Sequence, residues 1–228
     1  MKANTSVSKI MTASLITILA KLGGIFKVSL IFGSFAAFFT ASSMLLPLSG
    51  AFGGILGSIT FLVIGAMIRI LTGSVLSFKI LAYHIPGFFA SAYWARPTKY
   101  LSIILPIVCM ALFIAHPVGR LAAPYALYWL IPVVIALFRN KTVFLHSLSS
   151  TFIAHAVGSV IWLYATPMTP AFWYALIPVV AVERLVMAIG MTAAYHGIAK
   201  ACSRLFSSNI FQLSQLGGSF TIFCSPKK

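Results

Sequence analysis

Long apolar runs recur along this chain, at residues 28–47, 51–71, 99–116, 121–138, 143–165 and 171–197, and they limit its possible folds more than any other feature. A helix rises about 1.5 Å per residue, so about 20 residues cross the roughly 30 Å hydrocarbon layer of a bilayer. A water-soluble domain of 228 residues cannot hide six such runs, because its outside must be wetted by polar groups. With 61% of residues hydrophobic, 7% charged and a mean hydropathy of +1.04, lipid is the natural solvent. The short alternating segments of a membrane β-barrel are missing. A backbone in lipid must satisfy its own hydrogen bonds, which leaves helices. The expected fold is all-α, a polytopic membrane helical bundle of about six transmembrane helices.

Charge placement orients these helices. Sixteen lysines and arginines face a single acidic residue, Glu183, for a net charge of +15. In a soluble protein that excess suggests nucleic acid. Here the basic residues stand at the ends of apolar runs, where the cytoplasmic side of a membrane collects them, and no nucleic-acid partner is expected. Residues 72–98 contain Lys79, His84, Pro86, Gly87 and Arg96 and interrupt the pattern. If they do not cross and both termini are cytoplasmic, every basic residue except Arg120 and the mid-membrane Arg184 lies inside. That topology is preferred, with a seventh span or a re-entrant segment as the alternatives. Residues 1–27 read as an amphipathic cytoplasmic segment rather than a cleaved signal peptide, because the apolar stretch 10–20 is short, flanked by lysines and followed by no cleavage site. Residues 28–198 form the bundle, and 199–228 a cytoplasmic tail. Cys109, Cys202 and Cys224 make no close pair, so no disulfide framework is indicated.

Polar residues inside apolar runs are the candidates for function. Glu183 and Arg184 fall near the middle of the last span, where each charge costs about 2.5–3.5 kcal/mol to insert. Such groups turn away from lipid, toward a ligand, a partner or each other. In the fifth span Thr151, His155, Ser159 and Trp162 share one helical face. His155 sits at the depth of Glu183 on an antiparallel neighbour, so a hydrogen bond between them is expected. Together they form either a polar binding surface or interhelical glue. His116, Tyr125, Tyr128, Trp129, Trp162, Tyr164, Trp173 and Tyr174 lie toward the outer ends of their spans. They read as an interfacial aromatic belt more readily than as a pocket lining.

Enzyme signatures are missing from the sequence, including HExxH, a nucleophile elbow and the P-loop lysine motif. One carboxylate cannot supply an acid–base pair or a carboxylate-rich metal site, and the five histidines are too scattered to hold a metal. No cofactor, metal or catalytic residue is expected, and ATP hydrolysis would need a separate protein.

The stretch Ala37-Phe38-Phe39-Thr40-Ala41, followed by Leu48-Ser49-Gly50 and Gly53-Gly54-Ile55-Leu56-Gly57, resembles the start of the substrate-binding S component of energy-coupling-factor vitamin transporters. That family often carries an AxxxA motif in its first span, which Ala37 and Ala41 match here. The resemblance implies a bacterial plasma or inner membrane location. It also implies contact of Ala37 and Ala41 with a transmembrane T component, energising by two ATPase subunits, and binding of a vitamin-like solute near the outer side. By depth and polarity the ligand contacts are Thr40, His155, Ser159, Trp162, Trp173, Glu183 and Arg184. The expected function is therefore a small-solute uptake component with membrane lipid, a small-molecule substrate and energising subunits as partners. The alternatives are a non-catalytic scaffold or assembly protein, and an intramembrane enzyme on lipid-linked substrates using His155 or Glu183.

Overall fold

A computed structural model describes residues 13–18, 20, 42–71, 78–205, 213–216 and 219–222. In chain order, the elements are α1 (Ser42–Leu45), α2 (Leu48–Leu71) and α3 (Phe78–Ala95). A π-helical turn (Tyr100–Ile104) leads into α4 (Leu105–Ala115), α5 (Pro117–Leu121) and a 3-10 segment (Ala123–Trp129). The chain continues through α6 (Leu130–Ala136), α7 (Val143–Ala165) and α8 (Pro170–Leu205). A short antiparallel hairpin, β1 (Leu213–Leu216) with β2 (Ser219–Ile222), follows and pairs Leu213 with Ile222. The fold is an all-α membrane bundle. Among the described residues, three helices are long and apolar enough to cross a bilayer: Leu48–Ile68, Val143–Ala165 and Pro170–Ala201. Tyr100–Ala115 and Ala123–Ala136 are shorter apolar helices.

Local chemistry sets the helix ends. Pro117 and Pro170 begin helices, at positions where a missing N–H costs nothing. The Thr142 hydroxyl caps α7 by accepting from the Leu145 N–H at 3.2 Å, and Nδ1 of His116 caps α5 by accepting from the Val118 N–H at 3.2 Å.

Successive helices run antiparallel, as their contacts show. On α2 and α3, Ser58 meets Ser91 at 2.8 Å, Phe61 lies against Gly87, and Gly65 against His84. On α3 and α7, Tyr93 stacks on His146, Ser150 donates to the Ala90 carbonyl at 3.2 Å, and Pro86 faces Gly158. The α4 terminus reaches the end of α7, where the Tyr164 hydroxyl donates to the Leu112 carbonyl at 2.9 Å. The 3-10 segment then returns along α7, with Tyr125 beside Ser159 and Tyr128 stacked on Phe152. On α8, Thr192 donates to Ser147 at 3.0 Å.

This arrangement departs from the charge-based expectation for residues 72–98. The segment supplies α3, a helix of 18 residues that runs the length of the bundle between α2 and α7. Residues Ala90 to Ala95 are all buried. A helix covered on both sides by protein need not be uniformly apolar, so Lys79, His84 and Pro86 fit within it. Arg96, Lys99, Arg139, Lys141 and Lys200 gather at one end of the bundle, hereafter the basic end. Arg69 in the last turn of α2 and Lys79 in the first turn of α3 join Arg120 at the opposite end, not the basic one.

Residues 13–18 and 20 are helical, and Ala13, Ile16, Thr17 and Ala20 are buried. Their buried row packs on the bundle, where Ile16 joins Leu48, Phe52, Trp94 and Tyr195. The expected first span falls mostly outside the described residues, and its end at 42–47 holds α1.

Two glycines shape α2. Gly54 has φ 64° and ψ −154°, a conformation nearly restricted to glycine, and the helix bends there. The bend lets Ser49 and Ser58 both reach the Ser91 hydroxyl, at 2.9 and 2.8 Å. Gly50 sits directly on the α3 backbone, where a Cβ would overlap the Ser91 carbonyl. Gly50→Val is therefore expected to destabilise the protein by about 3 kcal/mol through forced separation of α2 and α3. Gly197→Val, whose Cβ would meet nothing, is expected to stay within about 0.5 kcal/mol of the parent. Unfolding in mixed micelles checks both.

Candidate functional site

The polar residues of α7 and α8 meet around one aromatic ring. Tyr125, in the 3-10 segment, is 1% exposed. Its ring centroid lies 4.9 Å from Trp173, 5.4 Å from His155, 5.6 Å from Phe113 and 6.3 Å from Trp129. Its hydroxyl is 3.3 Å from the Ser159 hydroxyl. Tyr128 holds the 3-10 segment to α8 by donating to the Ile177 carbonyl at 2.9 Å, just before Pro178. Val180 packs into the same buried cluster.

Glu183 and Arg184 lie beside this cluster, both buried, and pair with each other at 3.8 Å. The expected hydrogen bond between His155 and Glu183 is not made. Among the described residues, Nε2 of His155 is buried with no hydrogen-bond partner, as are the indole nitrogens of Trp129 and Trp173. A buried polar atom left without a partner costs about 1–3 kcal/mol. All three rings lie within 6.3 Å of the Tyr125 ring, centroid to centroid.

Of the residues singled out in the sequence, the structure brings together His155, Ser159, Trp173, Glu183 and Arg184. Trp162 is half-buried and lies outside the cluster of buried apolar residues around Tyr125. Thr151 is buried but donates within its own helix, to the Leu148 carbonyl at 2.8 Å. Ala37, Thr40 and Ala41 fall outside the described residues.

The outer aromatic residues divide into two groups. Tyr164 and Tyr174 are 55% and 47% exposed, and each donates to a backbone carbonyl on α4 or α5, as belt residues would. Tyr125, Trp129 and Trp173 are buried. Tyr125 and Phe113 were not singled out by sequence as the centre of the cluster. The recurrence Tyr125, Trp129 at a spacing of four was the available signal.

A surface cavity of about 340 Å³ opens at the end opposite the basic one, between the α4–α5 turn and the α7–α8 turn. His116, Tyr164 and Thr166 line it together with the apolar Val118, Leu163 and Met168. Leu163 belongs to the buried apolar cluster that includes Tyr125, and Val118 and Met168 pack against that cluster.

A second buried polar group lies nearer the basic end. His146 is fully buried, stacked on Tyr93 at 4.5 Å and met edge-on by Trp94 at 4.4 Å. Around it, Ser147 and Ser150 bond to neighbouring helices. This hydroxyl network permits close helix approach and explains the serine-rich start of α7. Among the described residues no group of histidine, cysteine and acidic side chains is placed to hold a metal.

No family model matches the chain, and no curated protein or solved structure is found to be similar to it.

Proposed function

We propose that the protein is the solute-binding component of an uptake system in a bacterial plasma membrane, crossing it several times with the basic end in the cytoplasm. The observation that carries this reading is the set of buried nitrogens on His155, Trp129 and Trp173 that have no hydrogen-bond partner among the described residues, gathered beside the Glu183–Arg184 pair. A solute bearing hydrogen-bonding groups would offset their burial, and the rings around Tyr125 would cover its apolar faces. The cavity lined by Leu163 and Met168 would be the access route, from the side facing away from the basic end. Because the sequence holds no P-loop lysine motif, energy would come from separate ATPase subunits, as the resemblance to energy-coupling-factor S components implies. We read the chain itself as non-catalytic.

The scaffold reading is favoured by one specific observation. The rings around Tyr125 pack closely, and the two charges already face each other. Native mass spectrometry of the gently extracted full-length protein separates the two. The uptake reading expects a vitamin-sized adduct on the parent that is lost from Trp173→Phe, which keeps an aromatic ring but removes the indole N–H. A parent with no adduct would move the protein to the scaffold class, and an adduct retained unchanged by Trp173→Phe would place the bound solute away from the Tyr125 cluster.

A further inference from the structure

We propose that the basic end carries a binding site for the phosphate of anionic phospholipids, formed between the turn at residues 96–99 and the turn at residues 139–141. Glu183 is the only acidic side chain in the sequence, and it is buried against Arg184. Arg96, Lys99, Arg139 and Lys141 therefore have no carboxylate side chain to pair with anywhere in the chain.

These four residues are neighbours in the fold. The end of α3 packs on the start of α7 through Trp94 and His146, which brings the 96–99 turn beside the 139–141 turn. The π turn at Tyr100–Ile104 also runs alongside α6, whose end leads to Arg139. Arg96, Lys99 and Arg139 are exposed, and Lys141 is half-buried.

Apolar side chains mixed among them identify the partner as lipid. Leu137 is 73% exposed and Phe138 48%, immediately before Arg139. Tyr100 is 62% exposed, with the Lys99 ammonium 5.6 Å from its ring centroid. Exposed leucine and phenylalanine beside cations suit the boundary between acyl chains and headgroups, where a tyrosine ring also sits well. An aqueous acidic protein would leave those apolar side chains in water. A phosphate between the two turns meets up to four cations, with the acyl chains lying along Leu137 and Phe138.

The test is lipid binding to the full-length protein in mild detergent, read by native mass spectrometry, with dioleoyl phosphatidylglycerol against dioleoyl phosphatidylcholine. Phosphatidylglycerol is expected to bind about tenfold more tightly, because each nearby basic residue contributes appreciably to anionic-lipid attraction. R96Q/K99Q and R139Q/K141Q should each abolish most of that preference, while R120Q at the opposite end keeps it. The preference of the unmodified protein should also fall as sodium chloride is raised, a readout that needs no variant to fold. Equal binding of the two lipids, a salt-independent preference, or a preference surviving in both double variants would overturn the proposal. So would an acidic protein that copurifies stoichiometrically and is lost from the double variants while the lipid preference remains.

Discussion

Replacing Glu183 with leucine is expected to lower stability by about 3–5 kcal/mol, the usual cost of removing one member of a buried ion pair. The reason lies in what is left behind more than in the attraction lost. At 3.8 Å the contact is long, and the two residues are adjacent on one helix, so the direct Coulomb gain is modest. Arg184 is 3% exposed, however, and no other acidic side chain exists in the chain to neutralise it. The double variant Glu183→Leu/Arg184→Leu should recover most of the loss, since replacing a buried pair with apolar groups is often close to neutral. Unfolding titrations of the two variants in mixed micelles give the comparison. A double variant as unstable as the single one would show that Arg184 holds the bundle together by other contacts.

Tyr125→Ala should be comparably damaging, by about 3–5 kcal/mol, because it removes the ring on which Phe113, Trp129, Trp173 and His155 converge. Tyr125→Phe keeps that ring and loses only a hydrogen bond to Ser159 that is already long at 3.3 Å, so it should cost under about 1 kcal/mol. The same micelle titration reads both. A large loss in the phenylalanine variant would mean that the hydroxyl, not the ring, organises the cluster.

How much of this was legible in the sequence differs from helix to helix. α7 occupies residues 143–165 as the apolar run marks it, because Thr142 caps one end and the Thr166–Pro167 pair follows the other. α8 extends past its expected end at 197 to Leu205, since nothing in residues 198–205 breaks a helix. α3 falls in a segment read as a possible seventh span or re-entrant stretch, because Lys79, His84 and Pro86 interrupt its apolar run, and the helix touches mainly α2 and α7. Counting charges on the premise that it does not cross groups Arg69 and Lys79 with the basic cluster, whereas the fold sets them at the other end of the bundle.

The candidate site was half legible. Buried charge is costly enough that Glu183, Arg184 and His155 stand out in any apolar run, and the structure places them close together. Their pairing did not follow from helical geometry, which turns adjacent residues about 100° apart. Tyr125 was concealed by its setting. A 3-10 segment repeats every 3.0 residues rather than 3.6, so a face drawn for an α-helix does not predict that Tyr125, Ala126 and Trp129 are buried while Leu127 is exposed.

The proposed membrane orientation of the bundle underlies both the proposed access route and the proposed lipid site, and single cysteines test it most directly. In a background with Cys109, Cys202 and Cys224 replaced, Leu71→Cys, Leu121→Cys and Asn140→Cys place one thiol each on exposed positions at the two ends. A membrane-impermeant maleimide added to intact cells is expected to label the variants at 71 and 121 but not 140, and inverted vesicles should reverse the pattern. Labelling of 71 and 140 from the same side, or of all three from both, would contradict the antiparallel crossing of α2 and α3 and the cytoplasmic placement of the basic end.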